Sequence, residues 1–336
     1  MKPAVATLLA LVVAACGTGT PATPPVTRTT QTPASTRFST PTATGCRLPL
    51  WLYNTSTNIG TGYFLQVPGS GLAPAKPSVT SQNSYGAYVP SADRWVPVVR
   101  SLVAPDGKHY TYNDASGNPE VDRVHVVDVE SGADHVIAQG GSDTGFLAFD
   151  FENDGVYAGR PSNGPGTAPG LWRLDPQTGA ATLIEATRSW HWISGGYAYA
   201  VLPNPTDPVV VQGGPVADTL LRLDLQTRTV EQWFRKRGVF VNVLGFDWSG
   251  RPLPTLGGTL ADLVVVTGQN NAAAIPDGSP DITFSYIQTS LVANPDGFWL
   301  GSDQGVYRYT AQGGFQQLWN NPTVKTVLPM VVGPCA

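Results

Sequence analysis

The sequence predicts an all-β fold, a β-propeller of six four-stranded blades, from a repeated turn, a turn-rich composition and the chemistry of its two ends. The turn occurs as "VDVESGA" (127–133), "LDPQTGA" (174–180) and "LDLQTRT" (223–229), with looser versions at 266–272 and 309–315. Four short strands per unit at a period in the forties are typical of propellers, and seven blades are the alternative count. Corresponding turn positions are 47, 49, 43 and 43 residues apart: Asp128, Asp175, Asp224, Thr267 and Thr310.

The composition of the 336-residue chain fits many short strands joined by tight turns. It has 37 Gly and 30 Pro, and charged residues make up 13% of it, where about 25% is usual. The net charge is -4, and Lys and Arg are scattered, so no basic surface for a phosphate backbone is predicted. We therefore expect a monomer that binds no nucleic acid.

The best copy of the unit predicts where each strand lies. "WVPVVRSLV" from Trp95 is the innermost strand, the turn "APDG" leads to "KHYTYN", and "RVHVVDV" and "HVIAQ" flank the repeated turn. The stretch "APDGKHYTYN...RVHVVDVESGADHVI" resembles the repeats of TolB-like six-bladed propellers. "NPDGFWLGSDQGVYRY" is similar to the propeller repeat of two-component sensor proteins. The resemblance extends over residues 46–335 as architecture and implies no activity.

The N-terminus predicts a lipoprotein. Residues 1–15 contain one Lys before an apolar run of 12 residues, Ala4 to Ala15, which suits a secretory signal and is too short for a membrane span of about 20 residues. "VVAAC" resembles the lipobox of bacterial lipoproteins, which implies lipidation of Cys16; the alternative is an ordinary signal peptide with an incidental Cys. Residues 16–45, rich in Thr and Pro, predict a disordered tether. We therefore expect a chain anchored by its lipid in the bacterial cell envelope, facing the extracytoplasmic side.

The propeller domain is predicted over 46–336, and its two ends should share one blade. Five complete units account for residues 92–320, and the remaining strands lie at the two termini. With Cys16 lipidated, Cys46 and Cys335 are the two thiols that are left in an oxidising compartment. We predict that they form a disulfide that replaces the missing turn of the sixth blade; two free buried thiols are the alternative.

The face opposite that junction is the predicted binding rim, because it carries the variable loops at 114–122, 162–169 and 205–219. In "RSWHWIS", Trp190 and Trp192 share one side of a strand and predict either a stacking platform for a ligand or packing between blades. The predicted rim residues are Arg94, Trp95, Asp143, Arg188, Trp190, His191, Trp192 and Asn242.

No metal, cofactor or catalytic residue is predicted. Asp150, Glu152 and Asp154 alternate as metal ligands do, but they lie at a turn where Asp and Asn before Gly are ordinary. In the outer loop, Asp114, Glu120 and Asp122 suit either a calcium site or an acidic loop that is simply solvated. No G-x-S-x-G, HExxH, paired CxxC or phosphate-loop motif occurs.

The sequence therefore predicts a non-catalytic envelope lipoprotein whose propeller binds a glycan, peptide or envelope protein on the face away from the membrane. The alternative is a propeller enzyme, a metal-dependent lactonase or hydrolase with its site in the central channel. A purely structural envelope component is a third possibility.

Overall fold

The computed structural model describes residues 45–76, 79–81, 85–114, 122–141, 145–160, 170–257, 262–275, 290–323 and 326–336. The secondary structure of these ranges is β-strand apart from the short 3₁₀ helices Pro90–Ala92 and Arg100–Leu102. In this part of the chain, no helix has the length and apolar character needed to cross a bilayer. The predicted signal peptide 1–15, Cys16, the tether up to residue 44, and Asp143 lie outside the described residues.

The strands are numbered in chain order. The first group contains β1 (Cys46–Asn54), β2 (Ile59–Val67), β3 (Leu72–Pro74), β4 (Thr80–Ser81), and the hairpin of β5 (Ala87–Val89) and β6 (Arg94–Val96). The second contains β7 (His109–Asp114), β8 (Asp122–Asp128) and β9 (Asp134–Gly140), and the third β10 (Leu147–Glu152), β11 (Gly155–Gly159), β12 (Leu171–Leu174) and β13 (Ala181–Glu185).

The second half of the chain continues the series. One group contains β14 (Trp192–Ser194), β15 (Tyr197–Leu202), the small hairpin of β16 (Val210–Val211) and β17 (Gly214–Pro215), β18 (Thr219–Asp224) and β19 (Val230–Arg235). It is followed by β20 (Val241–Phe246), β21 (Pro252–Leu256), β22 (Val264–Gly268) and β23 (Asn271–Ala274). The last strands are β24 (Ser290–Asn294), β25 (Gly297–Ser302), β26 (Gly305–Thr310), β27 (Gly314–Asn320) and β28 (Val327–Val331).

These strands form antiparallel sheets that follow one another around a ring. The sheet orders are β28-β1-β2-β3 with β4 beside β2, β7-β8-β9, β10-β11-β12-β13, β14-β15-β18-β19 and β24-β25-β26-β27. Contacts run from β7 to β10, from β10 to β14, from β15 to β20, from β20 to β24 and from β24 to β28. The amide of Tyr88 donates to the carbonyl of Val332 at 3.3 Å and brings β5 against the end of β28. This circular order is that of an all-β propeller.

The repeated turn joins the last two strands of its sheet, and in three four-stranded sheets, at β12–β13, β18–β19 and β26–β27, it is the predicted link between the third and fourth strands. In two copies the aspartate caps the turn: Asp175 Oδ1 accepts from the amides of Gln177 and Thr178 at 2.9 and 2.8 Å, and Asp224 does the same with its own turn. A Cβ on Gly179 (φ 71°) would lie 2.0 Å from the Ile137 carbonyl of the neighbouring sheet. Glycine is therefore required there by close packing as well as by the positive φ.

The predicted innermost strand at 95–103 is partly wrong. The chain forms β6, then a 3₁₀ helix, and pairs with β7 through one isolated bridge between Val103 and Tyr110. Pro97 lies within this stretch and has no amide to donate to a sheet, which explains why the strand is interrupted. In the fifth group, the two-stranded sheets β20-β21 and β22-β23 are linked by a single bridge between Thr255 and Leu263.

The two ends of the propeller domain share one sheet, as predicted. β28 pairs with β1 from Leu50–Val331 to Asn54–Val327. The structure contains the Cys46–Cys335 disulfide, with the two Cα atoms 5.6 Å apart and a sequence separation of 289. Arg47 and Ala336 exchange backbone hydrogen bonds of 2.8 and 3.0 Å beside it.

Because neighbouring strands are antiparallel, their connections lie on two opposite faces. We call the face with the disulfide the turn face; it also carries the turns at 153–154, 175–180, 195–196, 224–229 and 247–251. We call the opposite one the loop face; it carries the segments 186–191, 203–218 and 236–240.

Candidate functional site

A small hairpin, β16–β17, stands on the loop face and is held at its base by a network of ion pairs. Arg235 Nη1 lies 3.1 Å from Asp207 Oδ2, and its Nε and Nη2 lie 3.3 Å from Asp218 Oδ2. Asp207 precedes the hairpin and Asp218 follows it. Since one guanidinium binds both ends, the hairpin has a fixed attachment to β19.

Asp218 is the buried centre of this network, with 0% of its surface exposed. Burial by itself would raise its pKa, but hydrogen bonds from the Gly238 amide at 3.0 Å and the Thr219 hydroxyl at 2.8 Å, together with Arg235, lower the pKa below the ordinary value. The carboxylate is therefore ionised, and both of its oxygens accept hydrogen bonds. A buried charge that is satisfied in this way resists displacement, because losing one partner leaves the other charge uncompensated.

The tip of the hairpin is apolar and exposed. Val210 is 67% and Val211 53% exposed, and Phe240, which follows a turn packed against the hairpin base, is 43% exposed. A Cβ on Gly238 would lie 3.5 Å from the Val209 side chain, Arg237 pairs with Asp207 at 2.9 Å, and Lys236 and Arg237 are both exposed beside the hairpin base. We call Val210, Val211, Phe240, Lys236 and Arg237 the hairpin patch.

Trp190, predicted as part of a stacking platform, is a packing residue. It is 2% exposed and belongs to the apolar cluster that contains Leu171, Ile193 and Leu223. Its indole nitrogen donates to Glu185 Oε2 at 2.9 Å. A platform needs an open ring face, so the inter-blade packing alternative is the one that the structure supports.

Arg188 binds the same carboxylate, that of Glu185, as Trp190 does. Its guanidinium Nη1 is 3.4 Å from Glu185 Oε1, and its amide donates to Glu185 Oε2 at 3.1 Å. Burial alone would raise the pKa of Glu185, but donors from Thr187, Trp190 and Arg188 outweigh it and lower that pKa. The cluster therefore stabilises the loop-face segment that connects β13 to β14.

His191 and Trp192 lie at the loop-face end of β14. Their rings meet edge to face, with centroids 5.5 Å apart and an interplanar angle of 70°. His191 is exposed, yet surrounding protein desolvates it and lowers its pKa below 6.5. Trp192 is half-buried, and Asn242 is half-buried on the neighbouring strand β20.

Arg94 lies at the turn face and Trp95 packs against the middle of β1 and β2, so neither is placed on the predicted loop-face rim. Arg94 Nη1 donates to the carbonyls of Val129 and Glu130 in the β8–β9 turn, at 2.7 Å each. Trp95 packs among aromatic rings, with its centroid 5.4 Å from that of Tyr88. The physical reason is the unpredicted β5–β6 hairpin, which turns the chain back at Asp93 (φ 48°).

The acidic stretches have structural partners. Asp150 Oδ2 accepts from the Ile193 amide at 3.0 Å, and Asp154 pairs with Arg173 at 2.9 Å. In the outer loop Asp114 lies 3.9 Å from Arg123, while Glu120 lies outside the described residues. Within the described part of the chain, no group of three or more His, Cys, Asp or Glu is placed to hold a metal ion.

The hairpin patch was missed in detail, although its loop was predicted to be functional. The signal is present in "VVVQGGPV": an apolar run, a Gly-Gly turn and a second apolar residue are typical of a tight hairpin. The sequence does not show that Val210 and Val211 remain exposed. A strand of two residues is too short for an alternating pattern of apolar and polar side chains to indicate which face is buried.

No protein-family model matches the chain, and comparison with curated proteins finds no relative. Among solved structures, TolB from Acinetobacter baumannii is 14% identical over 86% of this chain, which spans 65% of the TolB chain, with a TM-score of 0.46. The β-propeller domain of the Trilobed protease from Pyrococcus furiosus is 12% identical, with 80% of this chain and 84% of that chain covered and a TM-score of 0.43. An acylaminoacyl peptidase from Pyrococcus horikoshii is 12% identical, with 81% and 45% covered and a TM-score of 0.45. Likenesses at this level do not establish a shared activity.

Proposed function

We propose that the chain is a non-catalytic cell-envelope lipoprotein whose propeller docks a partner protein through the hairpin patch. The observation that carries this proposal is the exposure of Val210 and Val211 on a hairpin whose base is fixed by Arg235. Aliphatic side chains raised on a rigid support lose little conformational entropy when a partner covers them. Exposed apolar patches on monomeric proteins mark interaction sites.

The chemistry of the patch favours a protein over a glycan. Glycan sites use aromatic faces and dense hydrogen-bond donors, whereas the hairpin tip consists of two valines followed by Gln212 and Gly213. Lys236 at its border complements acidic groups, whereas Arg237, 68% exposed, already pairs with Asp207 at 2.9 Å and adds to the network at the hairpin base. The expected partner surface is therefore an apolar depression with an acidic rim.

The orientation follows from the anchor that we propose at Cys16. The tether 16–45 runs to Cys46, and Cys46 lies on the turn face beside Cys335. A chain held by its N-terminal lipid would then present the loop face, with the hairpin patch, to the side away from the membrane. Fully extended, a tether of this length reaches up to about 90 Å.

A count of six blades is part of the same proposal. The three-stranded sheet β7-β8-β9 has the Val103 bridge where an innermost strand is expected, and the Thr255–Leu263 bridge links β20-β21 to β22-β23. If each of these is one blade, the ring has six, with the disulfide closing the sixth.

Photo-crosslinking in cells tests the function. A photoreactive residue at position 210 should give one discrete adduct with an envelope protein, and the double change Val210→Asp and Val211→Asp should abolish co-purification of that protein. Val136, which is 45% exposed on β9, supplies the matched control: a crosslinker there should give no adduct, and Val136→Asp should leave binding intact. Absence of a position-210 adduct, or equal adducts at both positions, would contradict the proposal.

A further inference from the structure

A cleft of about 120 Å³ opens on the turn face, between the sheet of β14-β15-β18-β19 and the neighbouring turn at 247–251. Arg222 and Arg251 are the charged side chains of its lining, and Pro252 and Val266, both buried, form its apolar wall. None of these residues belongs to the hairpin patch, which lies on the opposite face. The cleft is therefore a separate feature of the molecule.

Arg222 is held in a single orientation in the cleft wall. Its guanidinium carbon lies 3.2 Å from the ring centroid of Trp233 and 4.3 Å from that of Tyr197. Glu231 Oε1 accepts from Nε at 2.8 Å and from Nη2 at 2.5 Å. Since stacking and ion pairing already restrict the side chain, a ligand that binds to it has little further side-chain entropy to remove.

Arg251 forms the facing part of the cleft and is oriented in the same manner. Asp247 Oδ2 accepts from its Nε at 2.7 Å and lies 2.6 Å from Nη2. The side chain of Arg251 is 48% exposed. Two guanidinium groups, each compensated by one carboxylate, leave the site with donors but no net charge.

We propose that this cleft binds a carboxylate that carries a short apolar tail. Because Nε and Nη2 of each arginine already bind Glu231 or Asp247, the Nη1 groups of Arg222 and Arg251 are the donors that a carboxylate would use. A site without net positive charge favours a monoanion over a doubly charged phosphate. The half-buried rings of Tyr197 and Trp233 in the lining offer the tail an apolar surface. The volume corresponds to roughly four water molecules in the liquid, which is the size of propionate or of the terminal alanine of a peptide.

Ligand-observed NMR titration of the full-length chain tests the chemistry with defined probes. Propionate and N-acetyl-Ala-Ala with a free carboxylate should each bind saturably, at least 10-fold more tightly than propionamide and the amidated peptide. Tighter binding of the peptide than of propionate identifies a peptide C-terminus as the source; equal binding identifies a free short-chain acid. Absence of saturable binding, or equal affinity for acid and amide, would overturn the proposal.

Variants locate the site. Arg251→Gln should weaken binding of both acids at least 10-fold with an unchanged melting temperature, and Arg222→Met should do so where the protein stays folded. Arg173→Gln is the matched control, because Arg173 also pairs with an aspartate on the turn face and has a 41% exposed side chain. Unchanged affinity in Arg251→Gln, or an equal loss in Arg173→Gln, would refute the assignment. The Val210→Asp and Val211→Asp protein should keep full acid binding, which separates this test from that of the hairpin patch.

Discussion

Arg235 and Asp218 form the buried ion pair that fixes the loop-face hairpin, with guanidinium nitrogens 3.3 Å from Asp218 Oδ2. The side chain of Arg235 is 16% exposed and that of Asp218 is 0% exposed. Because the same guanidinium also binds Asp207, the residues that precede and follow the hairpin are tied to one point. Because this ion pair requires an ionised Asp218, protonation of that carboxylate at low pH should destabilise the hairpin.

Asp218→Asn should reduce the loss of stability at low pH. The folded-state pKa of Asp218 lies below its ordinary value of 3.8, so its ionisation contributes stability that is present above about pH 4 and is lost as the pH falls through the folded pKa. Melting temperatures between pH 7 and pH 2.5 should therefore fall less steeply in the variant below pH 4. Asp106→Asn, at an exposed turn, corrects for the loss of one negative charge. Parallel curves for wild type and Asp218→Asn would contradict the prediction.

Reduction of the Cys46–Cys335 disulfide should lower the melting temperature markedly. The bond joins residues with a sequence separation of 289, for which the chain-entropy model gives about 6 kcal/mol. In a Cys16→Ala background, Cys46→Ser and Cys335→Ser should each melt like the reduced protein and gain nothing from oxidation. Two reactive thiols in the unfolded but unreduced chain would show that the bond does not form.

Trp190→Ala should destabilise the domain by roughly 3 to 5 kcal/mol, the range for removing a large buried side chain. Trp192→Ala should cost less, because Trp192 is only half-buried. Urea denaturation measures both, and Trp248→Ala, at a position that is 37% exposed, is the control for loss of an indole. A Trp190→Ala protein as stable as the control would restore the stacking platform as an explanation.

Cys16→Ala should release the protein from the membrane fraction and abolish incorporation of labelled fatty acid. The apolar run before Cys16 has 12 residues, too few for a spanning helix of about 20, so the proposed lipid is the anchor. Fractionation and fatty-acid labelling measure the two effects. Fatty acid that still enters the variant would place the modification elsewhere.

The features that could be predicted from the sequence depend on local chemistry. Asp175 and Asp224 each bind amides two and three residues along the chain, so these turns are specified by neighbours in sequence and the spacing of the turn indicates the repeating unit. The pairing of Cys46 with Cys335 was also predictable, because the unmatched strands at both ends require a common sheet. These observations establish the propeller and its closure.

The tertiary structure decided which of the candidate side chains are open. Trp190 and Val210 are both apolar residues in loop-face segments. Trp190 is 2% exposed, however, and Val210 is 67% exposed. The difference comes from contacts distant in sequence: Trp190 is covered by residues of two sheets, whereas Arg235 binds the two ends of the hairpin and its tip remains exposed. Arg94 was assigned to the wrong face for the same reason, since its partners lie 35 and 36 residues away. Burial is a property of the assembled sheets, and a periodic pattern within one strand does not contain it.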